Sequence, residues 1–193
     1  MSEASWRLFV AVHLPSDLVS GVTRVQTQLS RSRADVKWVE EENLHLTLKF
    51  LGELPEGRAL DVREALGSVA GVAPFQVSLR GVGAFPGHGG PKVVWVGLSE
   101  GASEFVRLAG AVDQALAARG FAAERRPASP HLTIGRVRGA SNLEALRRGM
   151  DEVGPVALGS FECREVRLYR SVLGAGGPVY TALETIPLKP SQV

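Results

Sequence analysis

Two of the four histidines sit in near-identical tetrapeptides, His45-Leu46-Thr47-Leu48 and His131-Leu132-Thr133-Ile134, one in each half of the chain. At ordinary residue frequencies a histidine is followed by Leu and then Thr on the order of once in 200, so two such runs are not coincidence. In an extended strand, alternate side chains face opposite ways. Leu46 and Leu48 can then anchor to a core while His45 and Thr47 face out together. Leu132 and Ile134 do the same for His131 and Thr133. If the halves pack about a pseudo-two-fold axis, two imidazoles and two hydroxyls converge on one cleft.

That set suits displacement at phosphorus. One imidazole deprotonates the attacking water and the other protonates the departing oxygen, because histidine holds neutral and charged forms together near pH 7. The Thr hydroxyls, with a cation, hydrogen-bond the non-bridging oxygens as charge builds. No carboxylate cluster has the ligand spacing of a two-metal phosphatase, so the expected mechanism uses neither metal nor cofactor.

The elements that must position these residues follow from periodicity. Leu8–Val12, 36–39, 44–51, 75–82, 93–98, 121–126, 131–137, 161–173 and 179–185 read as strands, with a Gly- and Pro-rich loop over 83–91. Helices are expected over 16–30, with Ser16 as N-cap, and over 58–69, 103–119 and 143–153. Strands and helices do not alternate one for one, which favours an α+β fold with antiparallel sheets. Residues 1–188 form one expected domain, and 189–193 a frayed tail.

The chain has 193 residues, 45% of them hydrophobic, with 22 Lys and Arg against 20 Asp and Glu. This excludes a uniformly basic nucleic-acid coat, but six arginines between Arg125 and Arg148 face a single acid, Glu144, and point to a phosphate-bearing partner. The one cysteine, Cys163, excludes an internal disulfide and reads as a small apolar strand residue. No signal-peptide pattern or membrane-length apolar run occurs, so a cytoplasmic, membrane-free monomer is expected.

The sequence resembles the 2H phosphoesterase superfamily, and within it the RNA 2′,3′-cyclic phosphodiesterases, also called LigT-like 2′-5′ RNA ligases. The resemblance runs through RLFVAVHLP (7–15), NLHLTLKFLGE (43–53), GVGAFP (81–86), VVWVGL (93–98), SPHLTIGR (129–136) and the closing LYRSVLG and VYTAL. It implies a bilobal, duplicated α+β fold, with antiparallel sheets lining a central cleft and helices outside. It implies His45 as proton donor, His131 as proton acceptor, and Thr47, Thr133 and Arg136 as phosphate-binding residues. The implied reaction hydrolyses a terminal 2′,3′-cyclic phosphate on RNA, tRNA fragments included, to a 2′-phosphate, with a related step that joins ends 2′-5′. Strict alternation from His131 sets Arg136 on the Leu132 face, and a bulge at Gly135 would turn it toward the cleft.

Three rival readings remain: a 2H enzyme for a small cyclic nucleotide such as ADP-ribose cyclic phosphate, a non-catalytic RNA-end-binding module, and a histidine-ligated metal protein. Among the remaining residues, His13 and His88 read as surface histidines. Lys49 shares the parity of His45 and can reach phosphate or lie solvated. Phe9, Phe50 and Trp95 lie in apolar runs and read as core.

Overall fold

The computed structural model of the chain describes residues 4–87, 89–174 and 177–189. Among the described residues are nine strands: β1 (Ser5–His13), β2 (Val36–Trp38), β3 (His45–Pro55), β4 (Phe75–Phe85), β5 (Val93–Glu100), β6 (Leu132–Val137), β7 (Ala157–Cys163), β8 (Glu165–Gly174) and β9 (Gly177–Pro187). Four α-helices lie between them: α1 (Ser16–Ser30), α2 (Arg58–Gly67), α3 (Ala102–Ala117) and α4 (Leu143–Val153). The helices form where apolar residues recur every three or four positions. Leu18, Val22, Val25 and Leu29 of α1 and Phe105, Leu108, Val112 and Leu116 of α3 are all buried.

The strands make one curled, antiparallel sheet in the order β7-β4-β5-β6-β3-β1-β8-β9, with β2 paired to β6 outside that path. The order is balanced about its centre. Each histidine motif opens a central strand, β3 or β6, flanked by the first strand of its own half, β1 or β5. The next strand out belongs to the other half: β8 completes the β3–β1 lobe and β4 the β6–β5 lobe. The helices cross over as well, with α1 lying on β6 and β7 and α3 on β3. The fold is α+β and two-lobed, but neither lobe is a half of the chain.

One face of the sheet lies under the helices. Val10, Leu46, Val94, Val96, Leu132 and Ile134 join the buried helix residues there in one apolar core. The opposite face is open around its centre and carries the site.

Several element boundaries differ from the periodicity. Residues 121–126 form no strand, because Lys49 Nζ takes the Ala122 carbonyl and an Asp113 carboxylate oxygen takes the Glu124 N–H. The run 161–173 is two strands that divide at Arg164. Strand β4 continues to Phe85 because Gly83–Phe85 pair with Trp95–Val93. Gly83 has to lack a side chain, since a Cβ would stand 2.3 Å from the Trp95 ring. Helix α1 starts at Ser16 with Pro15 as its cap and no side-chain capping bond. At the far end, the Lys189 N–H donates to the Ala70 carbonyl at 2.9 Å, so Lys189 is tied down, and 190–193 lie outside the described residues.

Candidate active site

Strands β3 and β6 meet through a single bridge between Leu46 and Leu132, both fully buried. One residue to either side, the antiparallel register sets His45 opposite Thr133 and Thr47 opposite His131. By that register all four side chains are on the open face, and each histidine stands opposite the threonine of the other half.

The two rings are held by one device. Nδ1 of His45 lies 2.7 Å from the Asn43 carbonyl, and Nδ1 of His131 lies 2.7 Å from the Ser129 carbonyl. A carbonyl only accepts, so each Nδ1 carries a proton and each Nε2 is left for the chemistry. Asn43 is itself fixed, its side-chain NH2 donating to the Pro178 carbonyl at 3.0 Å.

Immediately after each His-x-Thr run the ladder slips by one residue. Thr133 pairs with Trp95 but Gly135 with Val94, leaving Ile134 as the extra residue of a β-bulge. Arg136 therefore pairs with Val93 and falls on the Thr133 face. The bulge is braced from behind: the Ile134 carbonyl accepts from the Val39 N–H at 3.0 Å and from Gln26 Nε2 at 2.9 Å. Gly135 is required in this turn, since a Cβ would lie 2.8 Å from Val36 and 2.9 Å from Trp38.

The equivalent slip in β3 leaves Leu48 unpaired, with Thr47 opposite Ala11 and Lys49 opposite Val10. Two expectations change as a result. Lys49 turns away from phosphate into the core face, 4% exposed, where Nζ bonds Asp113 at 2.5 Å and the Ala122 carbonyl at 2.7 Å. Phe50, expected in the core, stands on the open face and is 60% exposed.

Burial pushes the His45 imidazole down to about 4; His13, Arg136 and His131 push the same way, and the bond to Asn43 opposes them. His45 is thus neutral at pH 7 in the free protein. The influence of Arg136 on His45 and on Tyr180 fits its position on the site face. His13 is no surface histidine: it pairs with His45 across β1 and β3, and burial and Arg167 lower its own pKa. His88 lies outside the described residues.

Aromatic rings flank both imidazoles. Phe9 is 4.9 Å and Tyr180 5.4 Å from His45, and Tyr169 stacks on Phe9 at 5.2 Å. Phe85 is 5.1 Å from His131 and 5.1 Å from Trp95. Phe9 and Trp95 are therefore site walls, Phe9 in a small cluster apart from the main core. Alternation marks them, since each is the out-facing residue between two core valines or leucines, but apolar type concealed the fact. Among the described residues no group of three or more His, Cys, Asp and Glu is arranged to hold a metal ion. Cys163 is buried in β7, which raises its thiol to about 12. No helix among the described residues is long and apolar enough to cross a membrane.

A family model described as LigT like Phosphoesterase matches residues 12–95 and again 96–180, one copy for each histidine motif. The chain belongs to this family of LigT-like phosphoesterases. It is 39% identical over 166 residues to the RNA 2′,3′-cyclic phosphodiesterase of Aeropyrum pernix, covering 86% of this chain and 94% of the relative. It is 40% identical over 183 residues to the protein of that name from Methanothermobacter thermautotrophicus, covering 94% and 98%. Among solved structures, TT0787 of Thermus thermophilus matches with a TM-score of 0.80 at 33% identity, over 96% of this chain and 100% of that one. Escherichia coli LigT complexed with 3′-AMP matches at 0.78 and 25% identity, over 96% and 99%.

Proposed function

We propose that this chain hydrolyses 2′,3′-cyclic phosphates at RNA ends to 2′-phosphomonoesters, with His45 as proton donor and His131 as proton acceptor. The observation that carries this reading is the crossed arrangement of His45, Thr133, His131 and Thr47 about the Leu46–Leu132 bridge. His131 Nε2 takes a proton from water, and the water oxygen bonds to phosphorus. The P–O3′ bond breaks, and His45 Nε2 delivers a proton to O3′. The hydroxyls of Thr47 and Thr133 and the Arg136 guanidinium hold the non-bridging oxygens, where charge grows in the transition state.

Because O3′ leaves, the phosphate stays on O2′. The same step with an RNA 5′-hydroxyl in place of water forms a 2′-5′ bond, so one leaving group accounts for both hydrolysis and joining. His45, neutral in the free site, acquires its proton when an anionic phosphodiester settles beside it and opposes the effects of burial and the neighbouring cations.

The relatives named RNA 2′,3′-cyclic phosphodiesterase support this substrate class. In our reading tRNA fragments are among the substrates, and residues 1–188 work as one two-lobed monomeric unit in the cytoplasm. The test is incubation in EDTA with an RNA ending in a 2′,3′-cyclic phosphate, with the product phosphate located. A 2′-phosphate is expected. A 3′-phosphate, or activity lost in EDTA and restored by a divalent ion, overturns the mechanism. Turnover confined to mononucleotide cyclic phosphates moves the substrate to a small nucleotide.

A further inference from the structure

Each catalytic imidazole bonds a backbone carbonyl two residues before it, so whatever fixes that carbonyl fixes the ring. For His45 the fixture is local, the Asn43 side chain bonded to Pro178. Among the described residues the Ser129 side chain makes no such bond. Its carbonyl belongs to residues 122–130, which pass from α3 toward β6 without helix or strand. Among the described residues, every hydrogen bond from 122–130 to another element ends on Lys49 or Asp113. Lys49 Nζ donates to the Ala122 carbonyl at 2.7 Å, and Asp113 Oδ1 accepts from the Glu124 N–H at 3.0 Å. The same Asp113 oxygen takes Lys49 Nζ at 2.5 Å, which makes the two anchors one unit.

Lys49 lies two residues beyond Thr47 on β3, and Asp113 lies on α3. The strand of the first His-x-Thr run therefore holds the approach to the second. Pro127 and Pro130, each with its φ fixed, stiffen what lies between, so a shift at Glu124 is carried to Ser129 and on to the His131 ring. The Lys49 side chain is 3% exposed. A buried ion pair is weak evidence for stability, since apolar residues of similar volume often serve as well. What such residues cannot supply is the hold on Ala122 and Glu124. Both are exposed, and water would satisfy their backbone groups once the pair was gone. Burial alone would raise the Asp113 carboxyl, but Lys49 and the Glu124 N–H hold it below its usual range, so it stays an anion facing its cation.

We propose that Lys49 and Asp113 are positioning residues for His131, which anchor 122–124 so that the Ser129 carbonyl sets the imidazole with Nε2 toward the reacting water. The proposal rests on the phosphodiesterase reading above and gives the base a support that the acid does not share.

The experiment replaces the pair with apolar residues, Lys49→Met/Asp113→Leu, beside Asp113→Asn, whose amide oxygen still accepts from Lys49 and the Glu124 N–H. On adenosine 2′,3′-cyclic phosphate the double variant should lose roughly 10- to 100-fold in kcat with KM little changed, the scale of a small misplacement at a catalytic group. Asp113→Asn should keep most of the wild-type rate. The urea midpoint of the double variant should stay at or above that of wild type. Ring nitrogen NMR should show His131 losing its Nδ1–H form while His45 keeps it. Wild-type kcat in the double variant, or an unchanged His131 ring, overturns the proposal. So does a loss that His45 shares and a lowered midpoint accompanies, which would make the pair a general prop of the fold. If the double variant does not fold, Asp113→Ala, at a partly exposed position, takes its place with the same expected split between the two rings. A wild type without turnover overturns the phosphodiesterase reading, and the ring spectra, which need no turnover, then decide the positioning by themselves.

Discussion

His13 and His45 face each other across the β1–β3 ladder, the last residue of one strand against the first of the next. Both imidazoles are pulled below their ordinary range, with burial as the first cause in each case. The protein therefore keeps a pair of neutral rings where two charges would repel, and acid stability should register the fact.

The sign follows from linkage. His45 titrates at about 4 when folded and at 6.5 when free of the fold. As pH falls through 6.5 the unfolded chain binds protons that the native state refuses, so stability is full above that value and declines until about 4. His13 shifts in the same direction. The loss expected from His45 between pH 7.5 and pH 5 is about 2 kcal/mol. Urea denaturation at the two pH values checks this, and His45→Ala should show a shallower decline. An equally steep decline in the variant would count against a depressed His45.

If His45 is the acid, phosphate must restore its proton. Histidine ring NMR should find it titrating near 4 in the free protein and well above that with adenosine 2′-phosphate bound. A His45 that stays neutral in the complex at pH 6 hands the donor role to His131.

Each single change, His45→Ala or His131→Ala, should cost at least roughly 100-fold in kcat/KM. The double variant should be hardly worse than the poorer single, because groups that act as a unit are not additive. Single-turnover rates on the cyclic-phosphate RNA decide the matter, and losses that multiply would mean that the two rings do not work as a pair.

Thr47→Ala and Thr133→Ala should each slow turnover roughly 10- to 1,000-fold, the span for a single transition-state hydrogen-bond donor, with the circular dichroism spectrum unchanged. Each threonine faces the opposite histidine and neither is part of the main apolar core. Near-wild-type rates in both would remove them from phosphate binding.

The bulge behind Arg136 can be tested through a residue that never meets substrate. Gly135→Ala forces a methyl group against Val36 and Trp38. It should destabilise the fold by about 1–3 kcal/mol. If the bulge is what aims Arg136, Gly135→Ala should also reproduce most of the rate loss of Arg136→Ala, and combining the two should add little. A destabilised variant with full activity would sever that link. Gln26→Leu, which strips the Ile134 carbonyl of its buried donor, provides a second version of the comparison.

What could be read in the sequence is what depends on near neighbours. The shared face of His45 and Thr47 follows from a two-residue spacing, and the helix 143–153 from its apolar period, with bounds that the structure repeats. What depends on register could not be read that way. Local pattern alone puts Lys49 with His45 and Phe50 with the core, and a one-residue slip at Leu48 exchanges their faces. Arg136 shows the same slip with the opposite benefit, moving from the core face to the site. His13, Tyr180 and Phe85 reach the histidines through strand pairings, which local pattern does not encode.

The exchange of β4 and β8 between lobes also sets the order in which the molecule can be finished. His45 opens β3 and His131 immediately precedes β6, and these strands can pair once β6 exists, yet β1 meets β8 only after roughly 150 further residues, a long-range pairing of the kind that slows folding. Until then β1 offers an unpaired, largely apolar edge, open to the wrong partner. Tyr169 and Tyr180, which wall the His45 side, arrive with those same late strands. During synthesis the two proton-transfer groups are thus made early and their pocket late, so a chain halted before β8 would carry both histidines and still have no enclosed site in which to use them.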